Sequence, residues 1–448
     1  MRHSVVVEYR KCRGCTTCIK NCPTEAIRVR NGKATILPNR CIDCGTCLRV
    51  CPHHAVTSVP DSFNVLQNYQ YAVAIPDPAL YGQFHNLEDL DLVLNALLAL
   101  GFDRVYEAAA AAELLSGYLA RRQADPQRPR PELSAACPAV VRLISIRFPD
   151  LLSHLSPMLL PTELAAILAR EEAARKTGLS PQEIGVFSIV PCSSLVTAAS
   201  APDGRAAPVL DGAFAIRDVY MALLPHMKRL SGRPLPPLAA AGTIGVSWAY
   251  AGGESIARGA DQYIAVDGIS NVIHILEEIE DGRLPEAQFI ELRSCTQGCL
   301  GGCFNVENPF TAKMRLKQLM GRLPFSRRQY QPGGRVDELV SSAREPEYFP
   351  TFRLDPDRRV AMEKMQRIQA LEEQLPGLRC GSCGAPSCRA FAEDVIMGRA
   401  SEDDCIFKVR ERMQNVAGKS EADDYLPAPF RRRRSGLQDP PEGRGPTD

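Results

Sequence analysis

No sign of charge prevails in this chain of 448 residues, where 53 Lys and Arg stand against 52 Asp and Glu, a net charge near +1. That balance removes any global electrostatic reason to expect nucleic acid or an acidic membrane as partner; a basic patch would have to be local. Long apolar runs are missing too. The longest, Leu92–Leu100 and Ala108–Leu115, are too short or interrupted to cross a bilayer. The opening MRHSVVVEYRKC lacks the apolar stretch of a secretory signal, so no membrane span and a cytoplasmic location are expected. There is no Walker loop, and AYAGGESIARG lacks the spacing of a dinucleotide fingerprint. Seven histidines show no metal-ligand spacing, and the adjacent His53-His54 read as surface residues on a short helix, or else tune a neighbouring site by charge.

What the chain does have is cysteine, 17 in all. Disulfides are disfavoured in the cytoplasm, so metal or redox chemistry is the better account of so many. Eight fall in two copies of one pattern: Cys12, Cys15, Cys18 and Cys22-Pro23, then Cys41, Cys44, Cys47 and Cys51-Pro52, offset by 29 residues throughout. Three closely spaced cysteines let one loop wrap three corners of a cubane, and the fourth, expected to begin a helix before its proline, reaches the neighbouring cluster. That interleaving is the one described for bacterial two-cluster ferredoxins. One 4Fe-4S cluster would then use Cys12, Cys15, Cys18 and Cys51, and the other Cys41, Cys44, Cys47 and Cys22. Zinc also takes Cys-x2-Cys pairs, but eight cysteines in this interleaved form point to iron and sulfide. Between the copies, Ala26–Arg30 and Lys33–Leu37 flank Asn31-Gly32, which suits a tight hairpin.

Four more cysteines, Cys380, Cys383 and Cys388 in CGSCGAPSC and then Cys405, lie near the carboxyl end. Gly381, Gly384 and Pro386 allow tight turns that aim amides at cluster sulfurs, and RAFAEDVIMGRASEDD reads as a helix with Phe391, Val395 and Ile396 on one face. The segment resembles the small 4Fe-4S domain of electron-transport complex subunits and corrinoid iron-sulfur proteins, with zinc as the alternative metal.

The remaining cysteines, Cys137, Cys192, Cys295, Cys299 and Cys303, are scattered, yet Cys137, Cys192 and Cys295 each sit where a strand or helix pattern runs into a loop. Over residues 62–340 the chain resembles the cluster-binding domain of the iron-only (FeFe) hydrogenase family. SAACPAVVRLI, IVPCSS and ELRSCTQGCLGGC match three family loops in order, supported by LGFDRVYEAAAAAEL at 100–114 and LSPM at 155–158. The resemblance implies two α/β lobes with a cofactor between them, a 4Fe-4S cluster on Cys137, Cys192, Cys295 and Cys299, and Cys299 as bridge to a two-iron subcluster. The catalytic surroundings depart from the family. Ala136 replaces a proton-donating cysteine, Leu195 a lysine that grips a cyanide ligand, and Ala198 a glutamate; none of the three can pass a proton or hold an anion. These departures argue against a complete two-iron site and resemble the sensory branch of the family. Cys303 has no assigned place and reads as a buried thiol or a substitute ligand.

The expected architecture is multidomain α/β: a ferredoxin-like dicluster module at 1–60, a two-lobed hydrogenase-like domain at 62–340, a helical linker and small helical 4Fe-4S domain at 341–418, and a tail at 419–448. The linker helix is read at Met362–Gln374; the tail, rich in Pro, Gly and Arg and including Arg431–Arg434, cannot bury a core. With three to four 4Fe-4S clusters, the expected function is electron transfer or redox sensing toward a redox or signalling partner protein. Two other functions compete with it: a hydrogenase with a proton route through Cys303 or Glu307, and an iron-sulfur assembly factor.

Overall fold

The computed structural model describes residues 3–123, 128–200, 208–284, 286–342, 346–351 and 353–417, so the tail at 419–448 with its Arg431–Arg434 run lies outside the described residues. Two units form: residues 3–27 and 31–351 make the first, and 353–417 with 28–30 the second.

The strand β1 (Val5–Val7) pairs antiparallel with a later strand, while β2 (Ile27–Arg30) and β3 (Lys33–Ile36) flank the expected turn. Asn31 and Gly32 take φ of 51° and 70° there, the pair of positive values that a type I′ turn demands. The partner of β1 is β4 (Val56–Ser58).

Beyond residue 70 the chain alternates strand and helix and builds two parallel sheets. The larger uses β5 (Tyr71–Pro76) and β6 (Arg104–Val105), the smaller begins with β7 (Glu132–Leu133), and β8 (Ile184–Val190) and β9 (Gly212–Ala215) return to the larger one, whose order is β6-β5-β8-β9. Finally β10 (Tyr263–Asp267) and β11 (Phe289–Arg293) complete the smaller sheet in the order β10-β11-β7. All of these pairings are parallel. The unbroken apolar run IGVFSIV of β8 is buried at every position, as a strand covered on both faces must be.

Helices cover the sheets for legible reasons. The alanine run gives Ala108–Arg122, which packs on Pro161–Thr177. Leu90–Leu100, capped by the Asp89 carboxylate on the Asp91 N–H and ended by Gly101 at φ 121°, packs on Ile216–Leu230. Each sheet has its own core. Val73, Ile75, Val186, Ile189 and Phe214 anchor the larger, and Leu133, Ile144, Phe148, Leu276 and Ile290 the smaller. The second of these cores also contains Ile42 and Cys44 from the second cysteine motif, so that motif is built into the smaller lobe.

The second unit is held by the helices Arg358–Glu373 and Cys388–Ile396, packed through Ile368, Leu371 and Phe391. The second helix is shorter than the sequence suggests. It gives way at Gly398, φ 70°, to a turn of 3-10 helix at Glu402–Asp404.

Candidate metal centres

The 29-residue repeat is a repeat of backbone as well as sequence. Gly14, Thr16 and Glu25 take positive φ, and so do Asp43, Gly45 and His54 at the matching positions. Short helices follow, Thr17–Lys20 carrying Cys18 and Thr46–Val50 carrying Cys47. Cys22 and Cys51 come after these helices instead of beginning new ones. The residue before a proline is disfavoured in the helical region, so each helix stops short of it. His53 and His54 are exposed, as expected, but lie on a turn and not a helix.

Sulfur contacts repeat in the same way. The N–H groups of Ala26 and Ala55 donate to Cys22 Sγ at 3.2 Å and Cys51 Sγ at 3.3 Å, and Thr17 and Thr46 hydroxyls meet Cys15 Sγ at 3.5 Å and Cys44 Sγ at 3.3 Å. Burial, then like charge on Cys12, Cys15 and Cys51, pushes Cys18 up to about 11. Burial, followed by like charge on Cys44, Cys22 and Cys41, holds Cys47 well above the ordinary thiol value. The structure thus brings Cys12, Cys15, Cys18 and Cys51 together, and Cys22, Cys41, Cys44 and Cys47 together. Cys18 and Cys47, raised in this way, carry their charge only when a cation replaces the proton, which fits a cluster of iron and sulfide on each set.

The central cysteines converge through topology. Cys137 follows β7, Cys192 follows β8 and Cys295 follows β11, all at carboxyl ends of parallel strands, where open α/β sheets place their ligand crevice. Burial raises Cys192 well above its ordinary value and charge on Cys295, Cys303 and Cys299 adds to it; burial, then Asp77, does the same for Cys299, with Cys137 and Cys295 contributing. Hydroxyls line this set: Ser194 Oγ lies 3.2 Å from Cys192 Sγ and Ser294 Oγ 3.5 Å from Cys137 Sγ. These four cysteines fit a cubane on donor chemistry and mutual proximity.

Beside Cys299 a small pocket of about 30 Å³ is lined by Ala136, Leu195, Trp248, Asp77 and Arg293 among others. Ala136 and Leu195, two of the three replacements noted in the sequence, therefore face the position next to Cys299, whereas Ala198, Cys303 and Glu307 are not among the described lining residues. Glu307 is instead paired with Arg315 at 2.6 Å. The polar groups of the pocket were not legible in sequence. Asp77, at the end of β5, is pushed up to about 6 by burial, against the Ala79 N–H and Arg293. Arg293 donates from Nε to Glu291 and from Nη2 to Glu254, both at 3.2 Å.

The second cysteine motif is pinned to these loops by a buried aspartate. Asp43 Oδ1 accepts the N–H groups of Ser4 and Val5 at 3.1 and 3.3 Å; Oδ2 accepts Arg142 Nη1 at 2.9 Å and the Thr197 hydroxyl at 3.0 Å. The Asp43 carbonyl accepts the Ser193 hydroxyl at 2.7 Å. His3, Cys41 and Asp43 also lie within 4.8 Å of one another, but Asp43 is already committed to this network. Cys303 sits at the same junction, 3.7 Å from Ser193 Oγ and against Gly45.

In the second unit Cys380, Cys383, Cys388 and Cys405 line one small pocket together with Leu378, Phe391 and Phe407. Gly381 and Gly384, at φ 71° and 75°, make the turns between the first three. Four thiols around one small pocket fit a cubane.

Three family models match the chain. Residues 11–56 match the 4Fe-4S dicluster domain, residues 70–211 and 248–303 the iron only hydrogenase large subunit, C-terminal domain, and residues 375–407 an Fe-S cluster family. Among curated proteins, a component of the ion-translocating oxidoreductase complex of Cereibacter sphaeroides is 42% identical over 48 residues, 11% of this chain and 26% of its own. A protein of Methanocaldococcus jannaschii is 37% identical over 51 residues, 11% of this chain and 23% of its own. The chain spans about a quarter of the length of these curated relatives. Solved structures similar to it include two FeFe-hydrogenases of Chlamydomonas reinhardtii, a glutamate-to-glutamine variant and an apo cysteine-to-histidine variant. They are 15% and 14% identical, both with a TM-score of 0.47, covering 62% of this chain and 95% of theirs. The cofactors of the chain are 4Fe-4S clusters.

Proposed function

We propose that this iron-only hydrogenase-like chain, with its 4Fe-4S dicluster domain before the hydrogenase-like domain and its Fe-S domain after it, is a redox relay and sensor with little or no hydrogenase activity. The central and the carboxyl-terminal cysteines are each read as holding one cubane, and the repeat as holding two. Bound clusters supply one-electron redox chemistry at potentials set by charge, hydrogen bonds and exposure. The residues of the chain do the rest: cysteines hold, N–H and hydroxyl groups offset the charge of their sulfurs, and Asp43 keeps the second motif against the central loops.

One observation carries the reading. The pocket beside Cys299 is lined by Ala136 and Leu195, so the cysteine and lysine that the hydrogenase resemblance would place there are absent. The polar groups that remain are engaged elsewhere, Asp77 by the Ala79 N–H and Arg293 by Glu291 and Glu254. A chain that holds a cluster in this way can take up and release electrons without turning over a substrate. The reader of its oxidation state would be a redox or signalling protein.

The test is an infrared spectrum of anaerobically purified protein, coexpressed with hydrogenase maturation factors, in the region where iron-bound carbonyl and cyanide absorb, together with a dihydrogen assay. A silent spectrum, cubanes intact and no turnover are expected. Carbonyl and cyanide bands accompanied by rapid turnover would overturn the reading.

A further inference from the structure

Arg49 lies between Cys47 and Cys51 on the short helix Thr46–Val50. Its side chain does not stay with the repeat. Nη1 donates to Cys295 Sγ at 3.5 Å and to the Gly301 carbonyl at 2.9 Å, so one nitrogen touches both ends of the CTQGCLG segment. Arg49 as a whole is exposed, whereas Cys295 is 7% exposed, so the contact joins a hydrated cation to a buried sulfur. Burial of its head would lower the guanidinium pKa, but the sulfurs of Cys295, Cys303 and Cys44 hold it above the ordinary value.

We propose that Arg49 is a positioning residue that raises the reduction potential of the central cluster through its hydrogen bond to Cys295. Adding one electron to a cluster adds one negative charge, which spreads onto its cysteine sulfurs. A cationic N–H donor on one of those sulfurs favours the reduced form more than the oxidised one. Because Arg49 belongs to the dicluster motif, the potential of the central cluster depends on how that motif is seated. Any movement that withdraws the helix Thr46–Val50 lowers it. The inference rests on the reading of Cys295 as a ligand.

The experiment is a redox titration of the reconstituted full-length protein, followed by electron paramagnetic resonance, with iron content measured on every sample. The signal lost in Cys192→Ser identifies the central cluster. In Arg49→Gln the reduced-to-oxidised ratio of that signal at fixed potential should fall about tenfold, or about 59 mV for a one-electron couple. Arg49→Lys, which keeps the charge, should recover part of the fall, and the other signals, whose sulfurs Arg49 does not hydrogen-bond, should move less than the central one. Full iron content with an unchanged central potential in Arg49→Gln would overturn the proposal while leaving the cluster reading intact. If Cys295→Ser leaves the central signal unaltered, the ligand reading and the proposal fall together.

Discussion

The dicluster motif and the central loops solve one problem, collecting four thiols around a small volume, by opposite means. In the first, everything is local. The turn conformations, the short helices and the backbone N–H donors recur 29 residues apart, so each loop prepares three thiols within its own span. In the second, the thiols come from loops separated by up to 162 residues and meet only because β7, β8 and β11 end on the same side. Its sulfur partners are side-chain hydroxyls and an arginine in place of backbone amides. A motif can survive in isolation, whereas a topological site depends on two lobes and on whatever pins them. Here Asp43 is such a pin, and it comes from the motif.

The sharpest way to break the contrast is to remove a cysteine from each side. Cys22→Ser should cost the cluster shared with Cys41, Cys44 and Cys47 and leave that of Cys12, Cys15, Cys18 and Cys51, whereas Cys192→Ser should cost the central cluster alone. Iron and sulfide analysis with paramagnetic resonance would show it. Loss of both dicluster signals in Cys22→Ser would mean that the two loops fold as one and that the local description is too simple.

Next in size is the pin. Arg142→Leu leaves the Asp43 carboxylate buried without its cation, and removing one partner of a buried pair costs about 3–5 kcal/mol. Denaturant unfolding should show that loss, and Asp43→Asn combined with Arg142→Leu should be milder because no lone charge remains. Equal costs for the single and double variants would show that Arg142 acts by packing alone.

How much of this was legible follows the same division. The repeat announced its recurring turns through spacing, and Asn31-Gly32 its hairpin, because those features depend on neighbours in sequence. The central strands could be placed, since IGVFSIV and FIEL read as strands running into loops, but not their parallel order, which a single chain does not display. Asp43, Arg49 and Arg293 were missed for a physical reason. Charged residues between cysteines or at strand ends are usually solvated, and only the fold shows what each of these meets: a buried guanidinium, a buried sulfur and a pair of carboxylates. Cys22 and Cys51 as helix starts failed locally, on the residue-before-proline rule.

The smallest effect concerns Gly45, and the repeat supplies its own control. Thr16, at the matching position of the first copy, holds φ 65° with a full side chain, so the left-handed conformation does not itself require glycine there. At Gly45, φ 72°, a Cβ would lie 2.7 Å from Cys303 Sγ and 3.0 Å from Cys303 Cβ, contacts too short to stand without movement. The glycine is there because the central loop comes close. Gly45→Ala should therefore cost about 1–3 kcal/mol by overpacking. Cys303→Ala in the Gly45→Ala background should return part of that cost by removing the sulfur, a coupling of about 0.5–3 kcal/mol in a double-mutant cycle. Thr16→Ala, with no such neighbour required, should show no coupling to Cys303. Coupling of equal size at both positions would mean that Cys303 acts on the dicluster motif as a whole, and the junction would then be wider than the contact at Gly45.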